Sequence, residues 1–218
     1  IWGSTSGAGI FGAQFYGRGD MEGVRHTFRF KLLVSTAITA AAIVLFLAAG
    51  TPLIEAYIPA DTSPADAAAT LGYAQGYLRI MLVGLIPFGL TQCYAGTLRE
   101  SGQTVLPMKA SMLAMVVNFV FNALLIFGLG PFPRLGVAGA AIATVLSRFV
   151  ELGIVVVGAH RSTDRYPFLQ GVYRSFAIPR TLVKSIFIRS MPLLLNEMMW
   201  GSGQAVLLQC YSVRGIQA

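Results

Sequence analysis

The sequence predicts an all-α fold, a polytopic transmembrane helix bundle, and three observations lead to it. Of 218 residues, 55% are hydrophobic and only 11% are charged, with a mean hydropathy of +0.67. A soluble domain of this length would carry far more apolar side chain than one core could hide. The apolar residues are gathered into long runs of the kind that cross a bilayer as helices. Finally, the basic residues lie in clusters between alternate runs, so the net charge of +7 reports membrane orientation and not a nucleic-acid partner. Cys93 and Cys210 both fall within apolar runs at no framework spacing and read as small packing residues, not as a disulfide or metal ligands. The chain opens on Ile1-Trp-Gly, already inside an apolar run and without signal-peptide features, and stops soon after another run. Both ends are therefore expected to be cut.

The first run, Ile1 to Tyr16, is dense in small residues. Gly3 and Gly7 have the four-residue spacing that lets helices approach closely in lipid, which predicts a helix packed inside the bundle. A basic loop with Arg18, Arg25, Arg29 and Lys31 follows. The second span is charge-free from Leu32 to Ile54, and leads into a loop with Glu55, Asp61 and Asp66 and turn signals at Pro52, Pro59 and Pro64. The third, about Gly76 to Leu98, has Arg79 near its start and Pro87 midway, where a kink is expected. Arg99, Glu100 and Lys109 return the chain to a basic side.

Span four runs from Ala110 to Pro133 without charge and sets Ser111, Asn118 and Asn122 at helical spacing near one face. Two amides one turn apart in a membrane helix are either interhelical glue or ligands lining a wet cavity. Span five opens in the small-residue string from Gly136 to Thr144. Its second half carries Arg148 and Glu151, three residues apart and able to pair at the cytoplasmic end. The longest connection, His160 to Arg189, is basic, and beyond Pro179 its residues 180–189 read as a short interfacial helix. The last run, Ser190 to Val213, has one interior charge, Glu197. At about 1.5 Å per residue from Arg189 it lies roughly 12 Å deep in a hydrocarbon layer about 30 Å thick. An ionisable residue at that depth is costly and points to function.

Orientation follows from the loops. Those before span two, after span three and after span five hold four, two and six basic residues, whereas the intervening loops hold only Arg134. The positive-inside rule places loops 17–31, 99–109 and 160–189 in the cytoplasm, and the acidic loop 55–66 outside.

Four strings carry a resemblance. Gln14-Phe-Tyr-Gly-Arg-Gly-Asp20, the stretch from Asn118 through Asn122 to Gly128, Leu135-Gly-Val-Ala-Gly-Ala-Ala-Ile-Ala-Thr144 and Pro192-Leu-Leu-Leu-Asn-Glu197-Met-Met-Trp-Gly201 resemble the multidrug and toxic compound extrusion (MATE) family of cation-coupled exporters. They occur in the right order, with the long linker in the right place. The resemblance implies spans two to seven of twelve, most of one six-helix lobe plus the first helix of a second. Residues 1–160 would be five first-lobe spans, 161–189 a cytoplasmic basic linker and 190–218 the opening helix of the second lobe. It further implies a cell-membrane (plasma or inner) antiporter that exports cationic or amphiphilic small molecules by alternating access, with no cofactor beyond sodium or a proton as coupling ion. As the full-length protein it would act as a monomer in the lipid bilayer.

Residue by residue, Glu197 matches an acidic position implicated in binding the coupling cation or proton. Asn118, Asn122 and Thr144 match positions lining the first-lobe cavity. Some members have Asp where this chain has the neutral Asn122, so a first-lobe cation site is not implied here. From the residues themselves, a carboxylate at Glu197 could hold a proton or a monovalent cation. Gln204 and Tyr211, seven and fourteen residues on, extend its face into a polar stripe. Met198, Met199 and Trp200 suit flat, greasy cations, or ordinary packing. Pairing of Glu197 with Arg79, Arg148 or backbone donors would instead make it a packing residue.

Two other functions are open to such a chain. A lipid-linked precursor flippase of related architecture should show a more basic central cavity than these amides and hydroxyls provide. A membrane-embedded hydrolase is disfavoured: there is no HExxH or GxSxG, and His26 and His160 lie at cytoplasmic ends away from any buried Ser. The chain is read as a transporter, not an enzyme.

Overall fold

A computed structural model describes residues 2–58, 62–128 and 130–213. Among the described residues all regular structure is helical: α1 (Trp2–Gly17), α2 (Met21–Glu55), α3 (Pro64–Glu100), α4 (Val105–Phe127), α5 (Val137–Arg161), a 3-10 turn (Pro167–Leu169) and α6 (Arg180–Val213). Pro59 and Asp61 of the expected outer loop, and residues 214–218, lie outside the described residues.

The helices are longer than the apolar runs that announce them, for local reasons. Asp20 caps α2, its Oδ1 accepting from the Gly23 amide at 2.8 Å, so the helix starts at Met21 and takes Arg25, Arg29 and Lys31 out of the expected loop. Ser63 likewise caps α3, accepting from the Asp66 amide at 3.2 Å, and Pro64 stands in the first turn, where a missing N–H costs nothing. α4 ends at Phe127, six residues short of the expected end at Pro133, and is closed by Gly128, whose φ of +69° is the left-handed closing conformation. Pro52, Pro87 and Pro192 sit inside α2, α3 and α6 without ending them. The segment expected as a separate interfacial helix, 180–189, is continuous with the run from Ser190 in α6.

Six spans are expected from the runs; among the described residues four helices, α2 to α5, are long and apolar enough to cross a membrane. α1 is described over 16 residues, and the run of α6 beyond Arg189 is diluted by Asn196, Glu197, Ser202 and Gln204 together with Gly201 and Gly203. The chain is a multi-pass membrane protein.

Packing runs in the order α6, α1, then the α2–α3 pair, then α5, then α4. The largest buried cluster lies at one end, where Val24 and Phe28 of α2, Cys93, Tyr94 and Leu98 of α3, and Val155 and Ala159 of α5 meet Tyr166, Phe168, Leu169 and Val172 of the connection before α6. The three basic loops converge there: Arg165 Nε donates to Gln103 Oε1 at 3.1 Å, and Arg29 donates to the carbonyls of Val172 (2.7 Å) and Gly171 (3.1 Å). This common end is the cytoplasmic one by the charge rule. The long connection is therefore a docked strap over much of its length, not a loose basic loop.

Candidate functional site

Three of the expected cavity residues form one hydrogen-bonded row between α4 and α5. Asn122 Nδ2 donates to Asn118 Oδ1 at 2.9 Å, one turn away, and Asn118 Nδ2 reaches Thr144 Oγ1 across to α5 at 3.4 Å. Thr144 in turn donates to the Ala140 carbonyl at 2.9 Å. All three are half-buried, so the row is both a link between helices and a polar strip open on one side. Close approach of the two helices is secured at Gly139, where an added Cβ would lie 2.7 Å from the Leu125 carbonyl oxygen. Ser111, on the same side of α4, donates instead to Glu151 Oε1 at 2.7 Å, and Arg148 Nη1 pairs with Glu151 Oε2 at 3.1 Å. The Arg148 guanidinium also stacks over Phe88 at 5.3 Å.

Glu197 and Gln204 lie on α6, at the other end of the packing order from α4, and share no hydrogen bond with that row. Both are exposed, as are Met198, Met199, Trp200 and Tyr211. The contact that places Glu197 is with α1: an added Cβ at Gly3 would stand 3.2 Å from its Cγ, 3.2 Å from Leu194 Cα and 3.3 Å from the Leu193 carbonyl oxygen. One turn on, a Cβ at Gly7 would fall 2.6 Å from Ser190 Cβ and 2.8 Å from its Cα. The expected small-residue contact is thus the seam between α1 and α6. Among the described residues Glu197 is in no ion pair, since Arg148 is committed to Glu151. Arg79 lines a small pocket with Thr51 and Gln75 between α2 and α3.

The cytoplasmic end holds a group that the sequence reading treats as loop charges. Lys31, 1% exposed, directs its Nζ to Glu100 Oε2 and, at 3.2 Å, to Thr97 Oγ1. Gly9 and Gly12 of α1 lie over the carboxylate; a Cβ at Gly12 would come within 2.6 Å of Oε2. The i, i+3 glycine pair is as visible in the sequence as Gly3 and Gly7, but its partner is a carboxylate far along the chain. Nearby, the Tyr94 and Tyr173 hydroxyls meet in a hydrogen bond and the His160 ring stacks on Tyr173, with centroids 6.0 Å apart.

Comparison with known proteins gives this architecture a family. The model of the MatE family matches residues 1–124, more than half of the chain. Among curated relatives, a probable multidrug resistance protein NorM of Thermotoga maritima is 40% identical over 82 residues, covering 38% of this chain and 18% of the relative. An FAD transporter of Shewanella oneidensis is 45% identical over 74 residues, covering 33% and 16%. A probable NorM of Streptococcus pneumoniae is 35% identical over 143 residues, covering 65% and 30%. A solved structure of a multidrug resistance MATE family transporter of the MOP superfamily, in an inward-facing conformation, superposes with a TM-score of 0.74 at 22% identity, and shows the fold. That match takes in 97% of this chain and 48% of the other, so the chain spans about half the length of that transporter. The chain belongs to the MatE family, and its helices are an arrangement found in that family's transporters.

Proposed function

We propose that the protein exports cationic or amphiphilic small molecules by cation-coupled antiport, with Glu197 as the group that binds the coupling proton or sodium ion. The observation carrying this reading is the setting of Glu197: a carboxylate without an ion-pair partner among the described residues, between the apolar stretches 191–195 and 198–200 of α6, at the α1–α6 seam. An ionisable group kept in such a helix without a structural partner marks an ion pathway. One charge moving inward across the membrane releases about 2.3 kcal/mol per 100 mV, enough to bias a cycle in which cation entry and substrate exit compete. Residues 1–160 would form first-lobe spans and α6 the start of the second lobe, so the seam would be where two lobes rock against each other. The row of Asn118, Asn122 and Thr144, with Gln204, would line the substrate path.

A second reading draws on the relative from Shewanella oneidensis, an FAD transporter: the same architecture would then carry a large anionic aromatic cargo. The two separate on one assay. Cells producing the full-length protein, and lacking their own exporters, are loaded with a cationic dye or with flavin dinucleotide. Efflux is followed with and without inward sodium and proton gradients. Gradient-dependent loss of the dye supports the first reading. Export of the dinucleotide alone supports the second, and export of neither returns weight to a lipid-linked flippase.

A further inference from the structure

α1 is pressed by two carboxylates on different parts of its surface. Glu197 of α6 lies against Gly3, and Glu100 of α3 lies against Gly9 and Gly12. These contacts are six to nine residues apart, about 9–14 Å along the helix. The Glu100 carboxylate is not free to give way. Lys31 is 1% exposed, so its Nζ has no water to turn to and stays on the Glu100 carboxylate. Its second contact, Thr97 Oγ1, is itself held by donation to the Cys93 carbonyl at 2.9 Å. The carboxylate is thus fixed from α2 and α3, and the glycine face of α1 rests on it. On its other side the same helix meets Ser190, Leu193 and Leu194 of α6 through Gly3 and Gly7, with Phe11 beneath the Arg189 guanidinium at 5.3 Å.

We propose that the Lys31–Glu100 pair is a positioning device for α1: it sets the rotation and depth of that helix, and through it the seam at which Glu197 works. Neither residue touches ion or substrate in this role, and the inference rests on the reading of Glu197 given above. The glycines are what make the device possible. A helix faced with Gly9 and Gly12 can settle on a rigid carboxylate, whereas a Cβ at either place would drive Glu100 off Lys31 or lift α1 from α3. A pair that merely holds three helices together would affect abundance and stability, and would leave the response to the coupling cation unchanged.

The test uses the full-length protein with two readouts. The first is efflux against coupling-cation concentration in cells. The second is the rate at which a short bis-maleimide cross-links α1 to α6 through Phe11→Cys and Arg189→Cys, with Cys210→Ser to remove the exposed native thiol. Glu100→Gln and Gly9→Ala should raise the half-activating cation concentration by about threefold or more at comparable membrane abundance. Substrate KM should stay the same and the cross-linking rate should change alongside. Gly9→Ala keeps both charges and reads the same contact should Glu100→Gln fail to reach the membrane. Wild-type cross-linking in these variants would overturn the proposal, as would altered cross-linking with an unchanged cation response. Absence of cation-dependent efflux in wild type would instead sink the reading of Glu197, while the cross-linking arm still decides whether the pair places α1.

Discussion

At the scale of residues, the small side chains of α1 carry the most weight. Lipid offers no hydrophobic drive between helices, so close backbone approach has to supply the association. Gly7 meets Ser190 at its Cα as well as its side chain, and no rotamer change can make room there. Gly7→Ala should therefore lower stability by about 1–3 kcal/mol, the usual cost of an overpacked contact. Gly17→Ala, where nothing lies within 4 Å, should stay within about 0.5 kcal/mol; thermal unfolding in detergent compares the two. The spacing of Gly3 and Gly7 is legible in the sequence, as is the i, i+3 pairing of Arg148 with Glu151. The Lys31–Glu100 pair is not. Each residue lies at the edge of an apolar run, where a charge ordinarily reaches water, and only the fold brings α1 over them. For the same reason Ser111 reads as a companion of Asn118 and Asn122, yet it serves Glu151.

At the scale of elements, hydropathy located the helices and capping chemistry decided where α2 and α3 begin. The Asp20 and Ser63 caps add about a dozen residues each to α2 and α3 beyond their apolar runs. Those added turns of α2 hold the strap that precedes α6. Arg29 spans two carbonyls, at 171 and 172, Arg25 reaches the Phe168 carbonyl at 3.4 Å, and Phe168 and Val172 are fully buried beneath them. Composition alone reads 161–189 as a basic linker, because its charges dominate and its few anchoring aromatics are scattered. Arg29→Ala should cost about 1–3 kcal/mol, since the buried Val172 carbonyl and the part-buried Gly171 carbonyl lose their donor. Trypsin should then cut at Arg165 or Arg174 several times faster than in wild type, while cleavage at the exposed Arg161 changes less. Equal cleavage rates at all three sites would mean that the strap is held by its apolar side chains alone.

At the scale of the whole molecule, loops rich in basic residues alternating with loops poor in them give the topology, and the gathering of three basic loops at one end agrees with it. An impermeant maleimide should label Ser63→Cys from outside intact cells, and Ser175→Cys only after permeabilisation, both in a Cys210→Ser background; the reverse pattern would invert the molecule. The bundle was legible as a class and as a family member because four strings stand in the family's order. The partners that its polar residues take on other helices were not, because which helices touch is settled by long-range packing that periodicity does not encode. Gln204 shows this: its spacing from Glu197 puts it on one face, but the face is exposed along this stretch of α6. The central claim concerns Glu197, and the measurement that tests it most directly is dye efflux by the full-length protein, wild type against Glu197→Gln, over a range of external pH and sodium. The expected result is loss of efflux and of its cation dependence at normal membrane abundance. Unchanged efflux that still follows the cation gradient would contradict it, and would return Glu197 to a packing role against Gly3.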